Sequence, residues 1–279
     1  MVLSVGELIL DITITPEHPL RANDDTPARI RLGGGGQAAN FCAWSTAAGQ
    51  PARLIARLGD DDTGRRLVAE IEAGGVEVRP VWAPESSGMI AIVVGPAGER
   101  TMATQHGAGI GLQSADLEDE WFEGVRLLHV PAYALFLQPL ASAAREAIDR
   151  VRARGGMLSI DLSSVAGLIE YGPGRMVSDL KALRPELLFA SAPEAEALGV
   201  PLDSLARVPV VKLGAGGCRL LGQDIPAPDV EEVDPTGAGD AFAAGFCAAY
   251  LRGDDPIEAA RRAVELAAVA VTVVGARPR

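Results

Sequence analysis

Cysteine and histidine, the side chains that most often hold transition metals or redox centres, are scarce in this chain. Its 279 residues include three cysteines, Cys42, Cys218 and Cys247, and three histidines, all far apart in the sequence. None of them forms the short repeated spacing of a zinc site or a disulfide framework. Because each cysteine lies among apolar or small residues, we expect three buried free thiols without a metal or redox role.

Basic residues and long apolar runs are also in short supply. The chain has 25 Lys and Arg against 37 Asp and Glu, a formal net charge of −12, which argues against nucleic acid because backbone phosphates need a basic surface. No stretch approaches the roughly 18 uninterrupted apolar residues of a membrane span, and the first residues lack the basic flank and cleavage site of a secretory signal. We therefore expect a cytoplasmic globular protein with no nucleic-acid or membrane partner.

Two common nucleotide-binding motifs are absent. The chain has no GxxxxGK[ST] phosphate loop, and no GxGxxG follows its first predicted strand, where a dinucleotide-binding fold would place it. The glycines of GAGIG at 107–111 do not lie in a strand–turn–helix setting. These absences argue against a Walker-type NTPase and against a nicotinamide-dependent oxidoreductase.

Short apolar runs alternate with amphipathic helical patterns through most of the sequence, which predicts an α/β fold with a mostly parallel sheet covered on both faces. The predicted strands are 2–10, 53–57, 76–81, 127–130, 157–161, 187–190 and 208–213. The predicted helices are 38–48, 64–73, 139–154, 193–198, 239–251 and 256–274. The length and the lack of linkers fit one large domain, 1–279.

Residues 12–32 and 88–104 interrupt this alternation. They contain short alternating stretches such as ARIRL and MIAIVV, bounded by Pro, Gly and Asp, which predict a small antiparallel sheet separate from the core. We interpret this sheet as a lid whose exposed edges could also pair two subunits.

The stretch VDPTGAGDAFAAGFCAAYL at 233–251 runs from a loop into an apolar helix. The small residues Gly237, Ala238 and Gly239 would let an anion approach the unpaired N–H groups at the helix start. Asp240 follows at once, and a carboxylate beside an anion site suggests proton handling during phosphoryl transfer to an alcohol. The helix start should lower the pKa of Asp240. The alternative is that Thr236 or Asp234 merely caps the helix and the glycines only allow a tight turn.

A second glycine-rich stretch, LGGGGQAANFCAW at 32–44, opens a predicted helix and carries the polar side chain of Asn40. Asp11 ends the first predicted strand, at the sheet edge where ligands of parallel sheets collect. One Asp, one Asn and exposed backbone N–H groups suit a polyhydroxylated substrate. The alternative is a flexible hinge between lid and core, and the two interpretations are compatible.

These motifs together resemble the ribokinase-like, or phosphofructokinase B, family of carbohydrate kinases, almost from end to end. The early GG-x-x-x-N pattern appears as Gly35, Gly36 and Asn40, and LGDDDTG (58–64), EAGGVEV (72–78) and GERT (98–101) follow it. The late signature D-x-T-G-A-G-D-x-F is intact at 234–242. Because both motifs occur in the family's order and at a family-like spacing, a chance match does not account for them.

The resemblance implies a three-layer α/β/α kinase fold with a small β lid, ATP and Mg²⁺ as cofactors, and a sugar or nucleoside hydroxymethyl group as acceptor. It implies Asp240 as catalytic base and an anion hole at residues 237–239. The residues it places at the substrate are Asp11, Gly35, Gly36 and Asn40. The residues it places at the nucleotide are Lys212, Gly214, Gly217 and Thr236.

Two departures from the family pattern concern metals. The family's N-x-x-E motif, associated with magnesium, appears with Ser191 in place of the asparagine, while Glu194 is kept as a contact to magnesium through water. Asp234 matches a position that binds potassium in some relatives, but the chain ends at Arg279, where some of them carry another ligand. The sequence therefore leaves K⁺ dependence doubtful.

The sequence leaves the substrate open. An aromatic content of 4% offers little stacking surface for a base and favours a sugar over a nucleoside. A silent sugar-binding relative is a third alternative, against which the intact Asp240 argues. Arg29, Arg31 and Arg100 lie in the predicted lid and keep an acidic or phosphorylated substrate open, and a homodimer through the lid is a further expectation.

Overall fold

The computed structural model describes residues 1–96 and 99–278. Its strands are β1 Val2–Val5, β2 Ile9–Pro16, β3 Ala28–Gly35, β4 Ala52–Gly59, β5 Glu77–Ala83, β6 Met89–Val94, β7 Arg100–Gln105, β8 Leu127–Pro131, β9 Met157–Asp161, β10 Leu187–Ser191, β11 Val208–Lys212, β12 Cys218–Leu220 and β13 Gln223–Ile225. Its α-helices are α1 Gln37–Ala47, α2 Asp62–Ala73, α3 Tyr133–Phe136, α4 Leu140–Ala153, α5 Val165–Tyr171, α6 Pro173–Leu183, α7 Ala192–Leu198, α8 Ala238–Arg252 and α9 Pro256–Val271.

Within the described residues, nine strands form one sheet in the order β13-β12-β11-β10-β9-β8-β1-β4-β5. All neighbouring pairs from β11 to β5 are parallel, and only the short β12 and β13 are antiparallel. The central strands are buried on both faces, as their continuous apolar sequences require. Two hydrophobic clusters cover the two faces, which confirms the predicted three-layer α/β architecture.

The lid is a separate four-stranded sheet in the order β3-β2-β6-β7. The hairpins β2–β3 and β6–β7 are antiparallel, as predicted, but the hairpins join each other through a parallel β2–β6 pair. Residues 97 and 98, in the predicted lid segment 88–104 and partly in the motif GERT, lie outside the described residues. Ile30, Leu32 and Met102 are exposed on this sheet.

The single predicted strand 2–10 is wrong, because the chain divides there between the two sheets. β1 ends at Val5 in the large sheet, and β2 begins at Ile9 in the lid. At Gly6 a side chain would bring a Cβ within 2.8 Å of the Ala38 Cβ, so the chain passes against α1 where it leaves the core. Asp11 therefore lies in a lid strand and not at the end of a core strand.

The helix α8 is buried along most of its length. Gly245 lets it approach α9 closely, since a Cβ there would lie 3.2 Å from the Cα of Ala263. Helices α3, α5 and α6 were not predicted. The three cysteines are free and buried, as expected. In the part of the chain that the structure describes, no helix is long and apolar enough to cross a membrane.

Candidate active site

The turn before α8 has a backbone that only glycine adopts easily. Gly237 has φ 79°, and a Cβ there would lie 2.2 Å from the carbonyl oxygen of Ala276. No side chain caps this end of α8, because the Thr236 hydroxyl donates to Asp234 Oδ1 at 2.5 Å instead. The capping alternative is therefore wrong, and the first N–H groups of the helix lack a side-chain acceptor.

Asp240 lies in the first turn of α8 with only 9% of its surface exposed. The side-chain amide of Asn40, 200 residues away in the sequence, donates to its Oδ2 at 2.9 Å. The expected lowering of the Asp240 pKa is wrong. Burial, with the nearby charge of Asp161 acting in the same direction, raises it to about 7, although the Asn40 amide and the charges of Lys212 and Arg277 oppose the rise.

An ion pair lies beside the start of α8. Lys212 Nζ donates to Asp161 Oδ2 at 2.5 Å, and a Cβ on Gly239 would be 3.4 Å from the same Nζ. Burial opposes the charge on Lys212, but the charge and hydrogen bond of Asp161, together with the charges of Glu194 and Asp240, outweigh it and raise the pKa of the ammonium group. Asp161 was missed in the sequence, although it ends a correctly predicted core strand, the position where ligands of parallel sheets collect.

Arg277 was also missed, and the structure places it beside the early glycine motif. Its Nε donates to Asn40 Oδ1 at 3.0 Å, and its Nη2 donates to the carbonyl oxygen of Gly35 at 2.6 Å. Asn40 therefore links Arg277 to Asp240. Burial lowers the pKa of Arg277 to about 10. Burial raises the pKa of Asp11 to about 6, and the charge of Arg277 limits that rise.

The glycines of the early motif allow close packing. A Cβ on Gly35 would lie 2.0 Å from Asp11 Oδ1, and one on Gly34 would lie 2.1 Å from Arg277 Nη1. Gly36 has φ 95°, and a Cβ there would lie 2.3 Å from the carbonyl oxygen of Glu7. Gly34 and Gly35 thus make room for two charged side chains, whereas Gly36 shapes the turn into α1.

Two cavities lie on either side of the turn that precedes α8. The first, of about 550 Å³, we call the lid-side cavity, and it is lined by Asp11, Arg31, Gly34, Asp234, Thr236 and Arg277, among others. The second, of about 350 Å³, we call the helix-side cavity, and it is lined by Lys212, Gly214, Gly217, Ala238, Gly239 and Ala268, among others. The turn therefore separates two ligand-sized spaces.

The predicted residues divide between the two cavities. Lys212, Gly214 and Gly217 line the helix-side cavity, where the resemblance placed a nucleotide. Thr236, predicted for the nucleotide, instead lines the lid-side cavity. Asp11 also lines the lid-side cavity. Asn40 accepts a hydrogen bond from Arg277, which lines this cavity.

Glu194 and Ser191 form a reciprocal cap at the start of α7. Ser191 N donates to Glu194 Oε2 at 2.7 Å, and Glu194 N donates to Ser191 Oγ at 3.4 Å. Burial and the nearby Asp161 raise the pKa of Glu194. The serine thus takes a helix-capping role, and one carboxylate oxygen of Glu194 is used in the same cap.

The carboxylate of Asp234 is surrounded by donors. Arg100 Nη2 lies 2.6 Å from Oδ1, the Thr236 backbone N–H and hydroxyl also donate to Oδ1, and Gly275 N donates to Oδ2 at 2.9 Å. Burial alone would raise the pKa of Asp234, but these hydrogen bonds and the Arg100 charge hold it below its usual range. Arg100 belongs to β7, so this ion pair joins the lid to the turn before α8.

The comparisons with known proteins agree with this architecture. The chain matches the family described as pfkB family carbohydrate kinase over residues 1–279. It is 30% identical to an ATP-dependent ribose-1-phosphate kinase of Halopiger xanaduensis, with 99% of this chain and 93% of the relative covered. It is also 30% identical to a 2-dehydro-3-deoxygluconokinase of Thermoproteus tenax, with 98% and 90% covered.

The fold is shared with solved structures. Adenosine kinase from Sinorhizobium meliloti superposes with a TM-score of 0.88 at 25% identity, over 99% of this chain and 95% of that chain. The family match over the whole chain and these similarities confirm the resemblance that the two glycine-rich motifs indicated. The chain belongs to the pfkB family of carbohydrate kinases.

Proposed function

We propose that this carbohydrate kinase transfers a phosphoryl group from ATP to the hydroxymethyl group of a sugar, with Asp240 as the base. The observation that carries the proposal is the position of Asp240, buried in the first turn of α8, beside the turn that separates the two cavities. The relative from Halopiger xanaduensis is described as ATP-dependent. A nucleoside kinase and a silent sugar-binding protein are not favoured.

The chemistry assigned to Asp240 follows from its surroundings. Asn40 fixes one carboxylate oxygen through a hydrogen bond of 2.9 Å, which leaves the other oxygen to receive the proton of the attacking hydroxyl. A pKa of about 7 matches a proton acceptor that works near neutral pH. The backbone N–H groups at residues 237–239 would stabilise the negative charge of the phosphoryl group during transfer. None of them donates to a described side chain, and that of Ala238 makes only a long contact of 3.3 Å to the carbonyl oxygen of Pro235.

The helix-side cavity is assigned to the nucleotide. Gly214 has φ 58° and Gly217 has φ 86°, so their backbone can approach a ligand closely, and Lys212 would lie near phosphate. Mg²⁺ would arrive bound to the nucleotide phosphates, as this ion does in many kinases. The remaining oxygen of Glu194 fits a hydrogen bond to metal-bound water, and this is the role we propose for it.

The lid-side cavity is assigned to the sugar. Asp11 would accept hydrogen bonds from sugar hydroxyls, and the glycine backbone at 33–36 would contact the substrate, with the lid excluding water. Asp234 is already neutralised by Arg100, which supports activity without a bound monovalent cation. We further propose one domain over 1–279, a cytoplasmic location and a homodimer through the exposed apolar lid residues Ile30, Leu32 and Met102.

The direct test is a coupled assay of ADP release over sugars, sugar phosphates, sugar acids and nucleosides. We expect at least one sugar to stimulate ADP release well above background. Sugars that stabilise the protein thermally without stimulating ADP release would identify a silent binder. Strong stimulation by nucleosides alone would identify a nucleoside kinase.

A further inference from the structure

Arg277 is a half-buried cation that forms no ion pair with a described carboxylate. Its two hydrogen bonds go to neutral oxygens, the side-chain carbonyl of Asn40 and the backbone carbonyl of Gly35. Among residues 1–96 and 99–278, no carboxylate lies within ion-pair distance of its guanidinium group, and Nη1 has no hydrogen-bond acceptor. A charge withdrawn from water is costly unless it is paired. The carboxylates of Asp11, Glu70 and Asp240 favour the charged form of Arg277 from a distance, but none of them forms an ion pair with it.

The other charges around the lid-side cavity do not supply that partner. Asp234 is paired with Arg100 at 2.6 Å, and Glu70 is paired with Arg66 at 3.3 Å. Asp11 faces the same cavity but lies beyond ion-pair distance from Arg277, and its pKa is raised to about 6.

A second cation, Arg31, lines the same cavity from the lid strand β3 and forms no ion pair in the part of the chain that the structure describes. The space assigned to the sugar is thus faced by two guanidinium groups without an ion pair, those of Arg277 and Arg31. Among the described residues, only one carboxylate without an ion pair, that of Asp11, faces the same space. A neutral sugar would bring hydroxyl acceptors to the guanidinium groups but no negative charge.

We propose that the sugar substrate carries an anionic substituent, a phosphate or a carboxylate, which binds Arg277 and Arg31 in the lid-side cavity. This inference rests on the proposed kinase function and names its substrate class. A guanidinium binds either group through parallel N–H···O bonds. The absence of a side chain at Gly34, where a Cβ would lie 2.1 Å from Nη1, leaves Arg277 room beside the backbone.

The test compares matched substrates, each neutral sugar beside a phosphate ester or a sugar acid that keeps a free hydroxymethyl group: ribose with ribose 1-phosphate, fructose with fructose 1-phosphate, and glucose with gluconate and 2-dehydro-3-deoxygluconate. We expect the wild-type protein to favour an anionic member of at least one set by more than about ten-fold in kcat/KM. Comparing kcat/KM for the phosphate esters with kcat/KM for the sugar acids shows which anionic group is recognised.

The variants Arg277→Gln and Arg31→Gln test the two side chains. Arg277→Gln should raise the KM for the anionic substrate by about ten-fold or more and bring the anionic-to-neutral ratio close to one, while Arg277→Lys should restore part of the preference. Arg31→Gln, at an exposed position, should have a smaller effect of the same kind. Arg219→Gln is the matched control, because Arg219 is an exposed arginine of β12 that pairs with Asp224.

Other outcomes would overturn the proposal. A wild-type preference for the neutral member of every set contradicts it, even if kinase activity is strong. An equal loss of kcat for neutral and anionic sugars in Arg277→Gln, with a shifted pH profile, would mean that Arg277 only positions Asn40 and Asp240.

Binding separates this inference from the proposed kinase function. If no sugar stimulates ADP release, calorimetric binding of the same substrate sets tests this inference by itself. An anionic sugar that binds more tightly than its neutral counterpart, with a preference that Arg277→Gln abolishes, supports the inference. Anionic sugars that bind equally or more weakly than the neutral ones refute it.

Discussion

The two cavities that flank the start of α8 are built in different ways. All residues that line the helix-side cavity lie between Lys212 and Val271, in one part of the chain. Most of them are apolar or glycine. The lid-side cavity is lined by residues from Asp11 to Pro278, drawn from the lid, α2 and the last described residues, and several of them are charged.

This difference separates two kinds of recognition. A cavity of apolar side chains and glycine backbone selects its ligand mainly by shape, while a cavity with unpaired charges selects it by charge. It also explains which site residues a sequence motif can reveal. A local stretch encodes the helix-side cavity, whereas the charges of the lid-side cavity meet only after folding.

The largest effect should come from Asp240, which lies in the first turn of α8 beside the turn between the two cavities and is the proposed base. Asp240→Asn should reduce kcat by about 100- to 10,000-fold, because the hydroxyl loses its proton acceptor, while the Kd for ATP stays near the wild-type value. Asp149→Asn, at an exposed position of α4, is the control. Turnover near the wild-type value in Asp240→Asn would remove Asp240 from the mechanism.

The same variant should melt at a higher temperature than the wild type at pH 8, and the difference should be smaller at pH 5. Burial raises the pKa of Asp240 from 3.8 to about 7, so the fold favours the protonated form, and the stability that this preference contributes is lost progressively as the pH rises from about 4 to about 7. A melting temperature that is lower at both pH values would show that the substitution damages the fold.

The pH profile should be the next largest effect. With a neutral sugar, kcat/KM of the wild type should fall about ten-fold per unit below pH 7, because protonated Asp240 cannot accept the proton. Below pH 6 the slope should steepen as Asp11, with a pKa of about 6, also becomes protonated. The Kd for ATP, measured calorimetrically over the same range, should change much less. A flat profile between pH 5 and 8 would contradict the assignment.

A substitution confined to the lid-side cavity should affect only the sugar. Gly35→Ala should raise the sugar KM by about 10- to 100-fold, since the new Cβ would lie 2.0 Å from Asp11 Oδ1 and displace that carboxylate. Gly174→Ala, at an exposed position of α6 that lines neither cavity, is the matched control, because a Cβ there meets nothing within 4 Å. A parallel rise in the KM for ATP would show that the cavities are not independent.

A substitution confined to the helix-side cavity should affect only the nucleotide. Ala268→Phe fills part of this space and should raise the KM for ATP by about ten-fold, with the sugar KM unchanged. Val269→Phe, one position further along α9 where the side chain is exposed, is the control. If both variants behave alike, this cavity does not hold the nucleotide.

The smallest effect should come from monovalent cations. Because Arg100 already neutralises Asp234, exchange of Na⁺ for K⁺ at constant ionic strength should change kcat/KM by less than about two-fold. Arg100→Ala should lower activity and make it respond to added K⁺ or guanidinium ion. Strong activation of the wild type by K⁺ would mean that the ion pair is replaced by a cation during turnover.

Part of this site could be predicted from the sequence because its signals are local. Three small residues before Asp240 predict a bare helix start, and the glycines before Asn40 predict a second one. The structure joins the two through the Asn40–Asp240 hydrogen bond. Arg277 gave no signal, since a single arginine near the end of the described chain has no periodicity or motif of its own.

The division of the first strand could not be predicted either. Residues 2–16 are apolar or alternating over almost their whole length, and their pattern fits one strand or two equally well. The separation into β1 and β2 depends on α1, which packs against Gly6, and on β6, which pairs with β2 in the lid.

The sequence by itself determined the parallel α/β architecture, the small β lid, and the turn at Gly237, because buried strands, alternating edge strands and a positive φ each require particular residues in order. Only the tertiary structure decided which charges are paired and which remain open to a ligand. Ion pairing and burial depend on neighbours that are distant in the chain, and they give Asp240 a raised pKa where the isolated helix start would have lowered it.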